Sequence, residues 1–438
     1  MFKPVSEKNT KKINEILKGG RNFYNIIAII IIFLGIIISF KIDFFIKDCT
    51  LPIRYVQICF ILFIISSAIS YFVTSRKIIL EAKQNLYKVH IAVYGTMIAS
   101  GIIEIILLKC HLKLLSIMIL LVIIAIIQNV IIIIISNRDY PELTYKNVKP
   151  DNTFRKQSKN LFAQKIAGIV FNNVDIILIS KFIGSASVVI YTSYMYIVNS
   201  LQNVISKIGS SSLASVGNLL VEDSKKSKKI FDEYNALCFY IANIICVPLL
   251  LVITPFVKIF FGSSYTLPFI GSLFVVIIFY CKIIEIPLNV YNSALGYFDK
   301  TKKCAIFQSI LNLTLSIILL SKYGILGILF ATIISYVLGS FLFYPKILNK
   351  NYFKSNKIKY YSNSIKLSLI GILSFAILYL LTKNINVTNL LEWFALGIIC
   401  FIINFILVTI YYKLIKQTSF FQRIKKLIEE KRNKNEKK

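Results

Sequence analysis

Twelve apolar runs recur along the chain, each closed off by polar or turn-forming residues: roughly 23–40, 55–73, 90–109, 113–136, 160–183, 186–208, 234–255, 268–290, 304–320, 324–345, 364–382 and 389–412. A helix needs about 20 mostly apolar residues to cross the hydrocarbon core of a bilayer. Each run therefore predicts a membrane-spanning helix. The runs at 160–183, 186–208 and 268–290 are the least apolar, and in them polar residues fall at helical spacing. The predicted fold class is an all-α polytopic membrane protein of about twelve transmembrane helices.

Composition agrees with this reading. Hydrophobic residues make up 56% of the 438 positions and charged residues only 16%, against roughly 45–50% and 25% in a typical soluble domain. A soluble enzyme with one apolar anchor is excluded. The first 22 residues are polar and basic, unlike a signal peptide. Eight cysteines include no CxxC pair, and there are only two histidines. Neither a metal site nor a cofactor is expected.

The charge is strongly asymmetric, with 51 Lys+Arg against 20 Asp+Glu and a formal net of +31. Placing both termini on the cytoplasmic side puts 39 of the 51 basic residues in or beside inner segments, 9 in outer loops and 3 inside spans. A bias of that size predicts orientation by the positive-inside rule. It accounts for most of the charge without nucleic acid as a partner. Ten basic residues lie in the segment after Tyr412, which reads as a cytoplasmic anchor on anionic membrane lipid. No outer loop is long enough for a catalytic domain, and there is no GxxxxGK[ST] phosphate loop. The chain is expected to be a transporter and not an enzyme.

Ionisable residues inside spans are costly and mark function or pairing. In the fifth span, Lys165, Asn172 and Asp175 share one helical face. In the sixth, Asn199, Asn203 and Lys207 recur every four residues, and the following Gly209–Ser212 run predicts a break or an exposed inner end. In the eighth, Lys282, Glu285 and Asn289 follow 3-4 spacing, with Asn292 continuing it and Pro287 interrupting the helix. Gln308 and Asn312 are four apart in the ninth. Together the stripes predict a polar path through the membrane. Three lysines suit an anionic passenger, because ammonium groups attract phosphate. Amides that both donate and accept suit sugar hydroxyls.

The run LFAQKIAGIVFNNVDIILISKFIGSASVVIYTSYMYIVNSLQNVISKIGSSSLASVGNLL at 161–220 resembles the bacterial polysaccharide-unit flippases, as do PLNVYNSALGYFDKTKK at 287–303 and YGILGILFATIISY at 323–336. These are the O-antigen, capsule and teichoic-type translocases of the multidrug/oligosaccharidyl-lipid/polysaccharide exporter superfamily. The resemblance implies a MATE-like fold of two helical bundles with alternating access, and two added helices. It divides the chain into a first bundle at 1–150, a second at 151–345, an added pair at 346–412 and the basic tail at 413–438. The opening MFKPVSEKNTKKI is similar to the family's loop after its second span, so the first bundle is expected to be incomplete by two helices. A start codon placed too far downstream is the favoured explanation.

The implied function is flipping of polyprenyl-diphosphate-linked oligosaccharide units across the bacterial cytoplasmic membrane for surface polysaccharide synthesis. Lys165, Lys207 and Lys282 would meet the anionic groups. Asn172, Asn199, Asn203 and Asn289 would meet hydroxyls. Asp175 and Glu285 would serve as counter-ions or as sites for a coupling proton or sodium ion. Polysaccharide polymerases or ligases are the expected protein partners. The rival readings are a drug or organic-cation antiporter of the same fold and a non-functional truncated remnant.

Overall fold

In the computed structural model, residues 7, 9–83, 85–143, 148–151, 153–222, 224–415, 417, 419 and 421 are described. Most of the basic tail at 413–438 lies outside them. Every regular element is helical, and there is no strand among the described residues. Nine helical stretches there are long and apolar enough to cross a membrane, and the chain is a multi-pass membrane protein. By contact density it divides into two compact units, Met1–Lys159 and Asn160–Lys438.

The first unit contains α1 (Thr10–Ser39), α2 (Ile53–Ile69), α3 (Thr74–Ala82), α4 (Leu86–Lys109) and α5 (Leu114–Asp139). The side chain of Asn9 caps α1 by accepting from the Lys12 amide at 3.0 Å. Gly35 lets α1 approach α2, since a Cβ there would lie 2.7 Å from Ile64. Asn129 of α5 donates to the Ile69 carbonyl at the end of α2 at 2.7 Å. Charged side chains gather at one end of this unit: Lys12 with Asp151 at 2.9 Å, Lys83 with Glu142 at 2.9 Å and Lys88 with Asp139 at 2.5 Å. The Lys83 hydrogen bond holds the Glu142 carboxyl below the usual carboxylate range. Long rows of isoleucine on α1, α4 and α5 stay exposed, as lipid-facing surfaces of a membrane protein do.

The second unit contains α6 (Thr153–Phe182), α7 (Ser185–Glu222), α8 (Ser224–Phe261), α9 (Phe269–Ile284), α10 (Ile286–Ala294), α11 (Phe298–Tyr336), α12 (Leu342–Leu348), α13 (Lys357–Thr382) and α14 (Leu390–Leu414). The stretch α11 consists of two arms. Gly324, with φ 57° and ψ −136°, breaks it. Twenty residues of continuous helix would separate Asn312 from Thr332 by about 30 Å, yet their side chains are 3.1 Å apart. The chain therefore doubles back. Gly327 permits the close return, because a Cβ there would fall 2.3 Å from the Leu319 carbonyl oxygen.

The Gly209–Ser212 run predicts a break or an exposed inner end; α7 continues unbroken to Glu222, with Ser210 and Ser211 exposed. Gly209 instead makes room, since a Cβ there would lie 2.9 Å from Ile286 of α10. The eighth span does break where Pro287 interrupts it, at Glu285 between α9 and α10. Proline has no N–H to continue the ladder, and its ring crowds the preceding turn.

One core spans the second unit, with Tyr194, Phe231, Phe239, Phe279, Tyr291 and Tyr412 fully buried. The last two helices dock on α8 through a polar junction. The Asn243 amide donates to the Leu367 carbonyl of α13 at 2.9 Å and accepts from the Tyr280 hydroxyl at 3.1 Å. Asn404 of α14 donates to the Asn243 and Ile244 carbonyls at 2.9 and 3.0 Å. Buried amides paired in this way hold helices together where lipid offers no hydrophobic contrast.

This junction leaves no space at Gly371, where a Cβ would lie 2.5 Å from the Asn243 side-chain oxygen. Gly371→Ala is expected to cost about 1–3 kcal/mol by overpacking. Gly397→Ala, with open space around it, should not lower stability. Thermal unfolding of the two variants in detergent checks this.

Candidate substrate cavity

Polar residues of the second unit line two adjoining cavities. The larger, about 410 Å³, lies between α7 and the broken α9–α10 helix, with Gln202, Ser206, Ser210, Glu285, Asn289 and Ser293 among its polar lining. That volume falls within the roughly 300–1,000 Å³ typical of ligand pockets. The smaller, about 140 Å³, contains Asp175, Tyr191, Asn199 and Thr332. Asn172, Lys282 and Tyr336 line both.

Asp175 is buried, with 3% of its surface exposed. One carboxylate oxygen accepts from the Tyr191 hydroxyl at 2.9 Å and the Thr332 hydroxyl at 3.3 Å. Thr332 also accepts from the Asn312 amide. The other carboxylate oxygen, Oδ1, is buried without a hydrogen-bond partner, as is the Asn312 side-chain oxygen. A buried oxygen without a donor is costly unless something visits it.

Lys282 is half-buried. Its ammonium donates to the Asn199 side-chain oxygen at 3.0 Å. Both Asp175 and Glu285 attract it, but it forms no contact ion pair with either among the described residues. Glu285 caps α9 at the helix break, with Asn289 and Ser340 against its carboxylate. Ser340 belongs to a π-helical turn at Val337–Phe341, an irregularity common near functional sites.

The amides present acceptors to the cavity. The Asn172 and Asn173 nitrogens are occupied by their own helix, donating to Gly168 and Ile169 carbonyls at 2.7 and 2.8 Å. Their oxygens remain for other donors. The Gln202 side-chain oxygen is buried and unpartnered. One cation, several amide acceptors and a row of serine hydroxyls can hold an anionic, hydroxyl-rich molecule.

Of the sequence-predicted residues, the structure gathers Asn172, Asp175, Asn199, Lys282, Glu285 and Asn289 around these cavities. Asn203 and Lys207 are exposed and line neither. For Lys207 the reason is helical pitch. Steps of four residues advance 400°, so Lys207 is turned about 80° from Asn199. The lining instead follows Asn199, Gln202, Ser206 and Ser210, whose 3-4-4 steps return within about 20°. Asn292 is buried with its amide donating to the Leu288 carbonyl, and it lines neither cavity. Gln308 accepts from Ser340 at 2.9 Å and joins helices. Lys165 lies in α6, and its side chain is outside the described residues. Tyr191, Thr332 and Tyr336 escape the sequence reading, since hydroxyl-bearing side chains within apolar runs look like core. The four-residue spacing of Thr332 and Tyr336 is the one signal for them.

A family model described as polysaccharide biosynthesis protein matches residues 22–267, more than half of the chain. A solved structure of the lipid II flippase MurJ in an inward closed conformation aligns with a TM-score of 0.63. The alignment covers 92% of this chain and 84% of that one at 17% identity, a likeness of fold. No curated protein matches the sequence.

In a background freed of native cysteines, Gln202→Cys and Asn289→Cys should react with a charged thiol reagent at least about tenfold faster than Asn292→Cys, because a thiol must meet both water and reagent to react. Labelling rates in membranes check the order.

Proposed function

The chain belongs to the polysaccharide biosynthesis protein family, and on that premise we propose that it flips polyprenyl-diphosphate-linked oligosaccharide units across the bacterial cytoplasmic membrane. The observation that carries this reading is the larger cavity, where one lysine stands among amides and serine hydroxyls inside a membrane protein. A diphosphate needs the lysine, and sugar hydroxyls need the amides. Nothing in the arrangement has to make or break a covalent bond, so the proposed activity is translocation without chemistry on the passenger. Alternating access is the proposed mechanism, with both termini cytoplasmic as the distribution of basic residues suggests.

Lys282 is the proposed contact for the diphosphate. Asn172, Gln202 and Asn289 are the proposed contacts for hydroxyls, with Asn199 steering the lysine. Lys165 and Lys207 are proposed to meet the anionic groups nearer the inner interface than the cavity. Asp175 is the proposed coupling site for a proton or sodium ion, supported by its unpartnered carboxylate oxygen. Glu285 is the proposed counter-ion of the larger cavity. Polymerases or ligases that consume the translocated unit are the proposed downstream partners. An exporter of organic cations would be served better by acids without an intervening ammonium, and here Lys282 sits within reach of both.

The test is transport of a fluorescent polyprenyl-diphosphate sugar across vesicles containing the purified protein. Lys282→Ala is expected to slow flipping at least about tenfold, the value of one lost charge-assisted hydrogen bond. Asp175→Asn should remove the dependence of the rate on an ion gradient. Equal rates with empty vesicles would refute the reading.

A further inference from the structure

Lys282 occupies an unusual position. It lines both cavities, and its ammonium donates to a neutral amide, Asn199. Both acids of the second unit's polar path pull on it, Asp175 from the smaller cavity and Glu285 from the larger. Neither captures it in a contact ion pair among the described residues. Asp175 meanwhile keeps one carboxylate oxygen unpartnered although buried. A lysine side chain is long and flexible, and its ammonium serves as a point charge without fixed orientation.

We propose that Lys282 is a tethered cation for which the two cavities compete. With the larger cavity empty, its ammonium rests on Asn199 and compensates the charge of Asp175. A diphosphate entering the larger cavity draws the ammonium towards itself. Asp175 is then left uncompensated and takes up a small monovalent cation in exchange. Coupling between passenger and ion thus runs through one side chain, and by linkage each ligand strengthens the binding of the other. Helix geometry supports the exchange. The break at Glu285 lies one turn from Lys282, so the lysine sits at the end of α9 and not in the middle of a locked helix. Tyr336 and Asn172 form the remaining partition between the compartments.

The inference rests on the diphosphate-bearing passenger proposed above. A double-mutant cycle tests it, using farnesyl diphosphate as the probe and the full chain in detergent. Asp175→Asn keeps an oxygen to accept from Tyr191 and Thr332, but it releases the lysine. In the Lys282 background it should tighten probe binding about tenfold, an effect typical of intersite coupling. In the K282Q background the gain should fall to about twofold or less, since only direct repulsion between Asp175 and the probe is then relieved. That repulsion acts in both backgrounds and cancels in the cycle. Lys282→Arg, which keeps the charge, should restore the larger gain, and this separates loss of charge from a folding defect. Equal gains in all three backgrounds, or weaker binding on Asp175→Asn, would overturn the exchange while leaving Lys282 a fixed ligand. Failure of the unmodified chain to bind the probe at all would overturn the passenger reading, and the exchange with it.

Discussion

The carboxylate of Asp175, buried among membrane helices, is the constraint that draws the elements around the cavities together. An ionised carboxylate removed from water costs several kcal/mol unless it is compensated by hydrogen bonds or opposite charge. Asp175 lies on α6, and its hydroxyl donors come from the start of α7 and the returning arm of α11. The acid therefore ties the neighbouring α6 and α7 to the returning arm of α11, which is distant in sequence. Bringing Thr332 within reach requires the reversal at Gly324 and the close return at Gly327. Placing Lys282 across the smaller cavity requires α9 to pack beside α7.

The helical class is legible because apolar run length alone decides whether a segment can cross a bilayer. The cavity is legible only where its residues share a helix. Asn172 with Asp175, and Lys282 with Glu285 and Asn289, fall on one face by simple spacing. What crosses between helices is hidden. Tyr191 and Thr332 are ordinary residues until the fold brings them to Asp175. The i, i+4 rule also misleads over two turns, and that is how Lys207 enters the predicted stripe while Gln202, Ser206 and Ser210 carry the lining. Gly209 reads as a breaker locally. Only its packing against Ile286 shows that it permits close approach of α7 and α10.

Polar side chains within spans join helices in both units. In the first, Ser100 donates to Glu104 at 2.6 Å, Thr96 to Gln128 at 3.2 Å and Asn129 to the Ile69 carbonyl, while the side-chain oxygens of Asn25, Asn129 and Ser136 are buried without a partner. Its charges collect in ion pairs at one end. In the second, Asp175 and Gln202 also keep unpartnered oxygens, and these two line the cavities. What sets the cavity region apart is that such acceptors stand beside a cation in a space large enough for a ligand.

The central claim is that Lys282 meets a diphosphate inside the second unit's larger cavity. A structure determined with a short polyprenyl diphosphate bound tests it most directly. The account predicts a phosphate oxygen within hydrogen-bond distance of the Lys282 ammonium and the ammonium withdrawn from Asn199. A diphosphate bound elsewhere, with Lys282 still on Asn199, would contradict it.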